Sequence, residues 1–148
     1  MSQPDGTMVV VDDREPIELV CRDQRLERGA RLVVRGWPLT VAGLLGNADA
    51  TSHRFSRGGE PFLAVSSEVT DGAWTLDAVL AGPRVRTRSR YAAVPVHALI
   101  RAGFELIPTF GAPHCSIVLS AYTPEEAERL LVVLGPVRQN PYHVRRVP

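Results

Sequence analysis

Short apolar runs rich in valine and isoleucine punctuate the first half of the chain: TMVVV (7–11), PIELVCR (16–22) and ARLVVRGW (30–37). Polar or glycine-containing breaks separate them, a pattern that predicts strands. PLTVAGLLG (38–46) fits a short buried strand or one helical turn equally well. HRFS (53–56) and PFLAVS (61–66) flank RGGE (57–60), which predicts a hairpin because its two glycines tolerate positive φ. AWTLDAVLAG (73–82) then leads through Gly82 and Pro83 into PRVRTRSRY (83–91), where arginine occupies every second position.

The pattern changes after residue 95. VHALIRAG (96–103) predicts a short helix that starts after Pro95 and stops at Gly103, its C′ residue. FELIPTF (104–110) and HCSIVLSA (114–121) predict two further strands joined by the tight turn GAP. The clearest helix signature is TPEEAERLLVVLGP (123–136): Thr123 as N-cap, Pro124 at N1 and Glu126 closing a capping box. Ala127, Leu130, Leu131 and Leu134 give that helix one apolar face, and Gly135-Pro136 ends it. The tail VRQNPYHVRRVP (137–148) is polar and basic, suited to surface coil or a last short strand.

Strands gathered before helices imply an α+β class: a mainly antiparallel sheet with two helices of the C-terminal half packed on one face. The expected organisation is one domain over residues 1–148. It is strand-rich over 7–94, runs helix-strand-strand-helix over 96–135, and ends in a basic tail over 136–148. A chain of 148 residues buries a core without disulfides or metal, and 45% hydrophobic with 22% charged residues is an ordinary globular composition.

Charge narrows the functional classes. The formal net charge of +1 excludes a general attraction to nucleic acid or anionic membrane, so any attraction rests on uneven placement. Residues 1–28 hold seven acidic side chains against four arginines, whereas residues 82–101 hold five arginines and no acid. All seventeen basic residues are arginine, which codon usage in a GC-rich genome explains. Cys21 and Cys115 form no CxxC pair or disulfide framework, consistent with a reducing cytoplasm. The opening MSQPDGTMVVVDD has no basic n-region or long apolar stretch, and no run approaches a membrane span, so a cytoplasmic protein is expected.

Arg84, Arg86, Arg88 and Arg90 are the leading anion-binding residues. On a strand their guanidiniums stand in one row, ~6.6 Å apart, suited to bidentate phosphate or carboxylate contacts. Four such contacts to single-stranded RNA would give a salt slope of roughly −2.8. The plain alternative is a solvated strand whose arginines pair with acids on its neighbours, Glu68, Asp71 or Asp77. Arg54, Arg57, Arg145 and Arg146 are secondary anion-binding candidates, with Arg138 a further contact in the tail. Tyr91 beside the arginines offers base stacking if both are exposed; Trp37, Trp74, Tyr122 and Tyr142 are most simply core or edge aromatics.

The run RAGFELIPTFGAPHCSIVL (101–119) loosely resembles HicA-type ribonuclease toxins in its order of helix, Gly-Phe, strand, tight turn and histidine. Gly103, Phe104, Gly111 and His114 hold the matching positions; Pro113 stands where the family usually carries serine. The resemblance implies a double-stranded-RNA-binding-domain-like fold and a catalytic role for His114 on RNA. Read as a residue alone, His114 is a strand-opening histidine that hydrogen-bonds a loop carbonyl. Cys115 points to the opposite face and suits the core.

His53, His97, His114 and His143 show no metal-ligand spacing, so no metal or cofactor is expected. Nucleophile-elbow, Walker and dinucleotide motifs are missing. Three functions follow. The first is a non-catalytic module that binds a protein partner or an anionic ligand through the arginine strand, with homodimerisation through a sheet edge compatible. The second is an RNA-directed nuclease using His114. The third is a small enzyme with a site assembled from scattered residues such as Arg54, Glu68 and His114.

Overall fold

The computed structural model describes residues 31–51, 56–57 and 60–144. The strands expected over 7–11 and 16–22, together with Cys21, His53, Arg54, Arg145 and Arg146, lie outside the described residues. The remaining chain builds β1 (Leu32–Gly36), α1 (Val41–Thr51), β2 (Ser56–Arg57), β3 (Glu60–Pro61), β4 (Leu63–Val69), α2 (Leu76–Ala81), β5 (Arg90–Pro95), α3 (Val96–Arg101), β6 (Glu105–Pro108), β7 (His114–Leu119), α4 (Pro124–Leu134) and β8 (Arg138–Gln139). Six strands form one antiparallel sheet in the order β6-β7-β4-β1-β5-β8, and β2 pairs with β3 as the expected hairpin.

Alternation divides the sheet cleanly. Val33, Val65, Val69, Ala92, Val94, Cys115 and Ile117 form one apolar side. Leu44 and Ala48 of α1, Leu99 of α3, and Ala127, Leu130 and Leu134 of α4 close over it. Both C-terminal helices thus pack on one face, as the α+β reading requires, and α1 joins them there. A smaller cluster of Val34, Val79, Leu80, Val85 and Tyr91 places α2 with the other side of β1 and β5.

The helix ends follow their sequences. At the end of α3, Phe104 N–H donates to Leu99 O and Gly103 N–H to Ile100 O, the two bonds of a Schellman motif with Gly103 at φ 94°. At the start of α4, Thr123 Oγ1 accepts from Glu126 N–H at 3.2 Å. The expected capping box is only half made, because the Glu126 carboxylate turns away from the cap. It accepts from Ser120 N–H and Ser120 Oγ–H and pairs with Arg129 Nε at 2.7 Å. Arg129 in turn lies 3.8 Å from the Phe104 ring centre and donates to Ala102 O, stitching α4 to the end of α3.

Two helices replace expected strand or ambiguous segments. PLTVAGLLG resolves into the start of α1, with Leu44 and Ala48 fully buried at i and i+4. AWTLDAVLAG contains α2, capped by Thr75, whose side chain accepts from Ala78 N–H.

Candidate functional site

The arginine ladder is not a strand. β5 begins only at Arg90, and residues 83–87 form turns. Arg86 N–H donates to Gly82 O at 2.9 Å and Arg88 N–H to Val85 O at 2.9 Å, so the segment coils through one helix-like turn. The cause lies in the tail. Asn140, buried at 5% exposure, directs its amide Nδ2 to the carbonyls of Leu80, Val85 and Arg88 at 3.1, 3.1 and 3.3 Å. Val144 N–H adds a bond to Arg86 O. Carbonyls that a strand would give to a neighbour are taken by this clamp instead.

Coiling redistributes the four guanidiniums. Arg84 and Arg88, four residues apart, both line a cleft of about 320 Å³ with Val85 buried between them. Arg90 lies over the Trp37 ring at 5.4 Å. Arg86 is exposed and does not line the cleft. Thus two of the four predicted anion-binding residues meet. Of the secondary candidates, Arg57 lies in β2; Arg138, in β8, does not line the cleft.

The cleft exists because the sheet opens there. β1 registers with β4 at Val33↔Val69 and Val34↔Glu68, while Arg35 and Gly36 register only with β5. The backbone of Ser66, left beside the opening, is served by side chains: Asn47 Oδ1 accepts from its N–H at 2.7 Å, and Arg35 Nη1 donates to its carbonyl at 2.8 Å. Gly36 is needed beside it. A Cβ at this position would sit 2.8 Å from Arg88 Cγ, so the glycine lets the Arg88 stem lie close to β1.

Glu68 and His114 stand in the same row of the sheet, directly paired between β4 and β7. Both are buried and both line the cleft. His114 Nδ1 shares a 2.7 Å hydrogen bond with Thr109 Oγ1, which also contacts Ser116 Oγ at 3.0 Å. The Phe110 ring meets the imidazole edge-on at 5.0 Å, from a backbone at φ 57° that bulky residues rarely adopt. His114 is therefore held by a side-chain network, not by a loop carbonyl alone. Cys115 lies in the core, as its alternation predicts, with its Sγ 3.2 Å from Ser67 Oγ.

Electrostatics single out two groups. Glu68 is 7% exposed, and burial pushes its carboxyl up to about 7 although Arg84 and Arg35 pull it down. Arg35 is lowered to about 10 by burial and by Arg88, with Glu68 acting the other way. Glu68 Oε2 and Arg35 Nε are buried with no hydrogen-bond partner among the described residues. Of the three acids considered as arginine partners, only Glu68 lines the cleft. Asp71 accepts from Ala73 and Trp74 N–H in its own turn, and Asp77 from Tyr142 Oη–H.

A second cavity of about 180 Å³ adjoins the cleft, sharing Glu68, Arg84 and Val85 as walls. Among the described residues there is no group of three or more His, Cys, Asp or Glu placed to hold a metal ion. No described helix is long and apolar enough to cross a membrane. No protein-family model, curated protein or solved structure matches the chain.

Sequence reasoning named Glu68, His114, Arg84 and Arg88 and missed Arg35, Thr109 and Asn140. Arg35 did carry a signal, being the one charge inside the apolar run LVVRG. Asn140 carried none, because its role depends on carbonyls more than fifty residues earlier.

Proposed function

We propose that the protein binds a small anionic ligand, a phosphate or a carboxylate, in the cleft between β1, β4 and the 82–89 turn. The supporting observation is the convergence of three guanidiniums, from Arg35, Arg84 and Arg88, on one cleft whose sole carboxylate among the described residues is Glu68, raised by burial to about 7. Arg84 and Arg88 offer bidentate contacts at the rim, and Arg35 adds fixed positive charge from the sheet. Binding is then local, which accords with a net charge of only +1. Calorimetric titration with inorganic phosphate at low and moderate salt tests this. Saturable binding that weakens with salt and is lost in Arg88→Ala is expected; binding indifferent to both salt and the substitution contradicts it.

A second reading, acid–base chemistry on a phosphate ester such as RNA, draws on the direct pairing of Glu68 with His114 and a carboxyl near 7. In that reading Glu68 or His114 moves the proton while the arginines hold the phosphate. Metal-free RNA cleavage abolished in folded His114→Ala protein would support it. Full activity in that variant removes the role given to His114.

A further inference from the structure

We propose that the ligand is an anion carrying a single aromatic ring, with its charged head in the arginine cleft and its ring in the adjoining slot. This deepens the anion-binding reading and rests on it. The slot is walled by Trp74, Val79, Pro83, Val85, Phe110 and Pro113. Two aromatic side chains and two proline rings give it surface for a flat apolar body, while Glu68 and Arg84 supply its polar part. Its continuity with the cleft is direct, because Glu68, Arg84 and Val85 border both spaces.

The junction has chemistry of its own. Glu68, more than nine-tenths buried, holds there an Oε2 without a hydrogen-bond partner among the described residues. A hydroxyl on the link between head and ring, by donating to that atom, relieves the cost of leaving it unpaired. Arg84 also spans the two spaces, lying 5.8 Å from the Phe110 ring centre while lining the cleft. A bare phosphate fills only the polar part, and a neutral arene leaves the guanidiniums unanswered. A ring-bearing anion satisfies both.

The chain's two tryptophans make the placement measurable, since Trp37 lines the cleft and Trp74 the slot. The test titrates phenyl phosphate and inorganic phosphate into wild type, Trp37→Phe and Trp74→Phe proteins and follows tryptophan emission. Phenyl phosphate is expected to bind about tenfold tighter than phosphate or more. It should change the emission of Trp74 in Trp37→Phe protein, whereas phosphate leaves that signal still. In Phe110→Ala, whose side chain is exposed enough to be removed without opening the core, the affinity ratio of the two probes should fall toward one. Equal affinity for both probes in wild type, with Trp74 silent, overturns the ring assignment but leaves the anion site standing. Absence of binding by either probe overturns both.

Discussion

Two glutamates of similarly low exposure behave in opposite ways. Glu126 on α4 is 6% exposed and held at about 2; Glu68 on β4 is 7% exposed and pushed up to about 7. Glu126 is first lowered by its hydrogen bond to Arg129, with Ser120 adding a side-chain and a backbone donor. Glu68 has two guanidiniums in its neighbourhood but no partner for Oε2 among the described residues, so burial wins. Burial is the largest influence on Glu68, whereas at Glu126 a smaller burial penalty is outweighed by donors within hydrogen-bond reach. On the helix-packed side of the molecule, polar groups are consumed in holding elements together. In the cleft, Glu68 Oε2 and Arg35 Nε have no such partner among the described residues.

Removing each glutamate should therefore have opposite results. Glu126→Ala takes the acceptor from Ser120 and Arg129, and urea denaturation at pH 7 should show a loss of about 3 kcal/mol. The stability owed to Glu126 is present above the ordinary carboxylate value and fades as pH falls toward 2. Glu68 has the other sign. Its native form holds a proton that the unfolded chain releases earlier, so its contribution is full below about 4.5 and is lost as pH rises through about 7. Glu68→Gln should leave stability nearly unchanged at pH 4.5 and raise it at pH 8 by on the order of 2 kcal/mol. A Glu68→Gln protein with an unaltered pH profile would break the comparison.

Two further substitutions sharpen it. Asn140→Ala strips the clamp from three carbonyls and should cost about 1–2 kcal/mol, with anion affinity falling because Arg84 and Arg88 lose their frame. Phosphate titration and urea unfolding of the same variant check both effects. Gly36→Ala crowds the Arg88 stem and has the smallest expected effect, a several-fold loss of phosphate affinity with stability changed by less than about 1 kcal/mol.

The same contrast explains what was legible in the sequence. α4 announced itself through Thr123, Pro124 and Gly135, signals contained within the element. The Gly103 stop, the 57–60 hairpin and the apolar runs of β1, β6 and β7 were equally local. α1 was ambiguous because Gly43 and Gly46 interrupt a segment with only two fully buried anchors, Leu44 and Ala48. In the arginine segment, strict alternation misled: Val85 is buried as a strand pattern requires, but Asn140 supplies the carbonyl partners and coils the chain. Glu68 and His114 were visible one by one. Their meeting depends on β4–β7 register, which no local pattern encodes.

The most direct test sets arginine against arginine. Phosphate affinity is measured calorimetrically for Arg84→Ala, Arg88→Ala and Arg86→Ala at one salt concentration. A cleft built by the coiled turn predicts about tenfold loss or more for Arg84→Ala and Arg88→Ala, the worth of a charge-assisted contact, and near-native affinity for Arg86→Ala. Equal losses at all three positions would contradict the cleft and restore a continuous arginine face.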